Sequence, residues 1–397
     1  MKRFITLSLI ILTTSLLFAQ KPSLTKAYNF YYEKDFEKAK EAIDLCIVDD
    51  KLKNKANTWL YKGNIYFYLA NKEYSEKQQN NSYVIQYPNA PVEAYDAFIK
   101  AKELNRNIEG YDMISPDDAL AKLYTLLLIR GVDQLIAKDY ELAKMTLRKS
   151  MDSYEMKTPE YPLKGELYYY YAYTLEALNQ IDSVAQYYEK AIQDGSNNPN
   201  VYVRLIEHYK KEKDQPKVLE LIQSAQKILP EDPTILVAEV DYYYWINEKN
   251  KGKELLQKLP ATAYSNPDAI VNIANFYIKD TNYTKAEELL KKAERLNPNN
   301  FVIVYNLGVC YYFISEDLFA KANESELAGN KSEAFVLKTK SENYLAQAQT
   351  YFEEALKVEP NDLNILHTLK SIYARNKSPK YDEIDKKIKS LEIDKKH

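Results

Sequence analysis

Three histidines, two cysteines and several adjacent carboxylates are the side chains in this sequence suited to catalysis or metal binding. His208, His367 and His397 are widely separated. Metal ligation or proton transfer needs such groups brought to one point, as an H-E-x-x-H helix brings two imidazoles one turn apart. That spacing is absent, as are a G-x-S-x-G elbow, a phosphate-cradling glycine loop and a C-x-x-C pair. The doublets Glu287-Glu288 and Glu353-Glu354 lie in lysine-rich stretches and read as solvated helix faces. Cys46 and Cys310 fall on apolar helical faces near opposite ends of the chain. Helix layers about 10 Å apart would separate them far beyond the roughly 7 Å a disulfide spans, so they read as two buried free thiols. The sequence therefore predicts no enzyme, no metal and no cofactor. The side chain in excess is tyrosine, at 37 copies, and Tyr168 to Tyr171 run consecutively in LYYYYAYTLEAL. Successive residues point around most of a helix, so these four cannot all be core.

The elements that would position any site are helices. The 397 residues are 46% hydrophobic and 28% charged with only 8 Gly, a composition that favours helix over sheet. A formal charge of -3 with both signs mixed along the chain provides no basic footprint for nucleic acid. One phrase recurs: an Ala, a large apolar residue four positions on, and a small residue three further. It appears as Ala94, Phe98, Ala101; as Ala143, Leu147, Ser150; as Ala286, Leu290, Ala293; and as Ala348, Phe352, Ala355. Residues three and four apart share a helix face, so this stripe must be covered by a neighbouring helix. The preceding helices carry a partner stripe, as in Trp59-x3-Gly63-x2-Tyr66 and Val304-x2-Leu307-Gly308-x2-Tyr311. Its small-residue slot recurs at Ile206, Val240, Ala274 and Gly308, 34 residues apart each time.

These stripes resemble the tetratricopeptide repeat, a 34-residue helix-turn-helix unit that hides its apolar face only by stacking. The resemblance implies an all-α fold, a right-handed superhelical solenoid of about nine units beginning near residues 20, 56, 124, 165, 199, 233, 267, 301 and 363. Residues 20–376 would form the solenoid and 377–397 a capping helix whose Tyr381, Ile384, Ile388 and Leu391 face inward. Two units break the spacing. Gly63 and Ala94 are 31 apart where Ala274 and Ala286 are 12 apart, which places 19 extra residues near 71–91, expected to be a loop. Gly308 and Ala348 are 40 apart, which places 28 extra near 316–343. These are expected to form a projecting helical hairpin tipped by Gly329-Asn330, with Ile314, Leu318 and Phe319 pairing against Phe335, Leu345 and Ala346.

In the resembled family the first helices line a concave groove, and residues just after the small slot and the Tyr slot face into it. Carried over by position, that groove includes Tyr28, Tyr31, Tyr32, Asn64, Phe67, Tyr68, Tyr169, Tyr173, Tyr244, Trp245, Asn275, Tyr305, Tyr312 and Phe313. Asn272, Asn275 and Asn306 stand where related repeats use Asn to hold a ligand's main chain, since one amide offers both donor and acceptor. The family's clamp for a terminal carboxylate is missing, because its places hold Val271, Asn364 and Thr368. A groove rich in Tyr and Trp suits a protein or peptide, or the face of a sugar ring.

The first residues have a different composition. Met1-Lys2-Arg3 is followed by an uncharged run, Phe4 to Phe18, and a small residue, Ala19, in the order of a cleaved secretory leader spanning 1–19. No further membrane-spanning segment is expected in the mature chain. The resulting expectation is an exported, non-enzymatic protein of the bacterial cell envelope that binds a protein or peptide partner in its groove, with glycan binding through exposed rings as the alternative.

Overall fold

The structure is a computed structural model that describes residues 21–109, 112–156 and 164–394; the expected leader at 1–19 lies outside the described residues. The chain divides into two compact units, Met1–Ser196 and Asn197–His397. Among the described residues the regular structure is helical throughout. In the first unit, α1 (Leu24–Tyr32) packs on α2 (Phe36–Val48), α3 (Ala56–Gln79) on α4 (Ala90–Leu104), α5 (Pro116–Ile136) on α6 (Tyr140–Met156), and α7 (Lys164–Ala177) on α8 (Val184–Gln193). In the second, α9 (Pro199–Lys211) packs on α10 (Gln215–Ile228), α11 (Pro233–Trp245) on α12 (Lys249–Lys258), and α13 (Pro267–Lys279) on α14 (Tyr283–Leu296). The last pairs are α15 (Phe301–Leu327) on α16 (Lys331–Val358) and α17 (Leu363–Arg375) on α18 (Lys380–Asp394).

Local chemistry sets where each pair starts and turns. Asn198, Asp232, Asn266 and Asn300, spaced by 34 in the sequence, each accept a backbone N–H from the first turn of the helix they cap. Proline follows the first three, at the helix position where no N–H is needed. The turn inside each pair passes through one left-handed residue: Lys213, Asn247 and Thr281 have φ of 61, 63 and 58°. Asp214 and Asn282 then cap the second helix. The third pair likewise begins at Pro116 behind a Ser115 cap, earlier than the expected 124, because the Leu-rich stripe of α5 extends over two more turns.

The recurring stripes meet inside each pair. A Cβ added to Gly63 would lie 2.7 Å from the Phe98 ring, one on Gly131 2.6 Å from the Leu147 side chain, and one on Gly308 3.1 Å from the Phe352 ring. Glycine is used there so that the second helix can press a large side chain against bare backbone. Cys46 and Cys310 are buried free thiols, and burial pushes the Cys310 thiol up to about 12.

The expected loop at 71–91 is corrected. Asn71 to Gln79 continue α3, and only the stretch between α3 and α4 is irregular. Tyr74 and Glu73 on this extension are buried, so it is held by tertiary contacts and not by an apolar stripe of its own. The second insertion is helical: α15 and α16 run 27 and 28 residues against 13 and 14 for α13 and α14, with Gly329 at φ 83° between them. Its pairing stripe differs from the one expected. Ile314, Ala322, Ala334 and Leu345 are buried, whereas Phe335 is 71% exposed. Small residues in the seam let the helices approach closely, and the Ser315 and Ser341 hydroxyls meet 3.0 Å apart inside it. Phe319 lies instead under the Arg375 guanidinium at 4.3 Å, and Arg375 also bonds Glu316 and Ser341. By length and composition α15 could cross a membrane, but half of its apolar window is buried within the structure. At the C-terminal end of the unit, Ile384 and Ile388 of α18 are buried and Tyr381 and Leu391 pack on the same core.

Candidate groove of the second unit

The first helices α9, α11 and α13 lie side by side. Their open faces enclose a concavity of about 210 Å³, floored by Val203, Ile206, Val237 and Phe276 and edged by Glu207, Asp241, Asn272, Asn275 and Lys279. These residues repeat in register. Glu207, Asp241 and Asn275 each follow the small slot by one position, 34 residues apart, and Val203 and Val237 are offset by the same interval. Glu207 and Asp241 share the offset of Asn275 and so belong to the groove by the same rule, although they are neither aromatic nor amide side chains like the residues expected there.

The charged groups of the groove are largely satisfied within the chain. Asp241 forms an ion pair with Lys210 and lies 4.0 Å from Lys279. Below it, a second hollow is lined by Lys210, Tyr244, Trp245 and Asp280. The Tyr244 hydroxyl donates to Asp280 Oδ2 at 2.6 Å, and burial followed by this carboxylate pushes the phenol up. Trp245 is half-buried, with the Lys210 ammonium 5.9 Å from its ring centre and Tyr242 6.2 Å away. Asn272 is exposed, Asn275 half-buried, and neither amide has a hydrogen-bond partner among the described residues.

The remaining expected groove residues are placed elsewhere. Asn306 is 9% exposed and donates to Val302 O of its own helix at 2.7 Å, so the three asparagines do not converge. Tyr305 packs edge-on against Phe352 at 5.9 Å, inside its own pair. Phe313 stacks on Tyr283 at 6.4 Å, and Tyr312 sits edge-on to Phe313. In the first unit Asn64 is 1% exposed and structural: its amide donates to Leu60 O and Ile114 O and accepts the Ile114 N–H at 3.0 Å. Phe67 packs on the core of that unit and Tyr68 stacks on Phe36. Tyr28 contacts Tyr61 and Tyr32, and Tyr31 meets Phe36 edge-on. Tyr169 lies against Tyr170, Tyr173 and Tyr188, and Tyr168 and Tyr171 both meet Tyr187, so the tyrosine run packs largely on α8. Among the described residues no cluster of three or more His, Cys, Asp or Glu is placed to hold a metal, and His208 faces Glu212 one turn along its own helix.

First helices that recur every 34 residues in the second unit, and three pairs in which a glycine faces a large side chain of the second helix, make the described residues an array of paired helical repeats that resembles the tetratricopeptide type. No family model matches the sequence, and no curated protein matches it. Among solved structures, the human IFIT1 dimer with m7Gppp-AAAA is 16% identical, covering 90% of this chain and 76% of its own, with a TM-score of 0.45. Yeast Tom70 is 13% identical, covering 94% and 93%, with a TM-score of 0.45. The C-terminal part of a TPR repeat-containing protein from Cytophaga hutchinsonii is 14% identical, covering 76% and 99%, with a TM-score of 0.38. All three TM-scores lie below 0.5, and the repeat assignment rests on this chain's own helix pairs.

Proposed function

We propose that the protein is a non-enzymatic scaffold or adaptor of the bacterial cell envelope that holds an extended segment of a protein partner across α9, α11 and α13. The observation that carries this reading is the contrast within the groove: its charges are paired, while the amides of Asn272 and Asn275 face the same hollow without a partner among the described residues. An amide presents a donor and an acceptor together, the pattern of a peptide N–H and C=O. Three helices about 10 Å apart span roughly 20 Å, the length of about six extended residues. A sugar platform is favoured less, because Trp245 is half-buried beneath Lys210 and Tyr244 commits its hydroxyl to Asp280. The location rests on the charged start and uncharged run at 1–19.

The test is crosslinking of the tagged full chain in native envelopes, followed by affinity measurement with the captured segment. Asn272→Ala with Asn275→Ala should remove about 0.5–1.5 kcal/mol per lost bond, roughly a five- to hundredfold weakening for the pair, without a change in melting temperature. Unchanged affinity refutes the groove reading. Intact mass of the envelope-purified protein should begin at Gln20 or Lys21, and a chain that retains Met1 refutes export.

A further inference from the structure

The insertion of the second pair builds a cleft in the first unit, apart from the groove above and with different chemistry. Its loop is tied down rather than loose. Buried Glu73 accepts the backbone N–H groups of Gln86 and Tyr87 at 2.8 and 2.7 Å. Lys77 donates to the carbonyls of Asn81 and Tyr83 at 2.5 and 3.1 Å. Arg130, on α5, donates twice to Asn89 Oδ1 at 3.1 and 2.8 Å. These bonds hold Val84 and Ile85 opposite Ile129 and leave a cleft of about 530 Å³ between them, with Tyr74 in its wall and Asp133 at its edge. Val84 is 78% exposed on this fixed loop.

The Asp133 carboxylate makes no hydrogen bond or ion pair among the described residues, and it is exposed at the edge of the cleft. The nearby cations, Arg130 and Lys77, pull its carboxyl down without hydrogen-bonding it, and burial of one side, the largest influence, pushes it up. Both cations are already bonded to the loop. Tyr74 is 7% exposed, its hydroxyl has no hydrogen-bond partner among the described residues, and the charge that most raises it is Asp133. A cleft with Val84, Ile85 and Ile129 along its walls, Lys77, Gln78 and Tyr83 also lining it, and a carboxylate at its edge fits a side chain with a long aliphatic stem and one terminal cation.

We propose that this cleft seats a single lysine or arginine side chain from a peptide segment of a protein partner, the stem lying along Val84, Ile85 and Ile129 and the cation at Asp133. A polyamine fits less well, because Asp133 is the one carboxylate among the described residues lining the cleft and leaves a second ammonium without a counter-charge.

The experiment titrates the full chain, labelled at isoleucine δ-methyls, with the capped peptide Ala-Leu-Lys-Leu-Ala and with its norleucine counterpart, which keeps the stem and drops the charge. The lysine peptide should shift the Ile85 and Ile129 methyls and bind about three- to tenfold tighter than the norleucine peptide. Asp133→Asn should abolish that preference. Val84→Ser, at an exposed position, should weaken the lysine peptide without altering the melting temperature, and keeps the test decisive if the first variant misfolds. The Asn272 and Asn275 double variant should leave these shifts intact, which separates this site from the unit 2 groove. Equal binding of the two peptides by the native chain overturns the proposal, as does a folded Asp133→Asn that still prefers lysine, a Val84→Ser with native affinity, or spermidine binding more tightly than the peptide.

Discussion

Replacing Gly63 and Gly308 with alanine, one at a time, separates helix propensity from packing in the same structural slot. Alanine in a helix interior is favoured over glycine by about 1 kcal/mol. Against that gain stands the ring of the facing helix. At Gly63 the new Cβ would lie 2.7 Å from Phe98, roughly 0.8 Å short of a carbon–carbon contact of about 3.5 Å. At Gly308 it would lie 3.1 Å from Phe352, roughly 0.4 Å short of that contact. Phe98 and Phe352 are 0 and 1% exposed, so neither ring can swing into solvent and the helices themselves must part. Overpacking of this kind costs about 1–3 kcal/mol. Gly63→Ala should therefore be destabilised by about 1–2 kcal/mol net, whereas the smaller shift at Gly308 should bring its cost close to the propensity gain. For units of this size 1 kcal/mol corresponds to about 2–4 °C, so thermal unfolding followed by circular dichroism should show a clear drop for Gly63→Ala and little change for Gly308→Ala. Restoring room with Phe98→Leu in the Gly63→Ala background should recover part of the loss. A Gly63→Ala protein at least as stable as the native chain would refute the argument that glycine is there for close approach.

Thr281 holds φ 58° in the turn where neighbouring pairs place Lys213 and Asn247, and a β-branched side chain tolerates that region poorly. Thr281→Asn should raise stability by about 0.5–1 kcal/mol, read as a higher melting temperature, and a lower one would contradict the strain. Asn64→Ala should cost about 1–3 kcal/mol by leaving the Ile114 N–H and C=O without their partner, and should speed hydrogen exchange at the Ile114 amide; unchanged protection there would show that the amide is not the anchor.

What the sequence alone determined is the repeat. Stripes at helical spacing and a 34-residue recurrence are local and periodic, and each pair can bury its stripe only against another helix, so helix pairing and the stack within each unit follow from pattern. The Asn and Asp caps at 198, 232, 266 and 300 carry the same period and were equally legible. Tertiary structure decided what each polar or aromatic side chain does once placed. Asn64, Asn275 and Asn306 occupy neighbouring repeat positions, yet one bridges Ile114, one opens into the groove and one folds back on Val302. The difference comes from what packs nearby, which for Asn64 is a segment 50 residues away. The insertions show the same limit. Nothing local marks Glu73 as the anchor of a loop, because its partners Gln86 and Tyr87 are backbone donors that chain folding brings to it. Periodicity identifies a buried face because burial averages over a whole helix, whereas the use of a single amide or carboxylate depends on the few atoms within hydrogen-bonding distance.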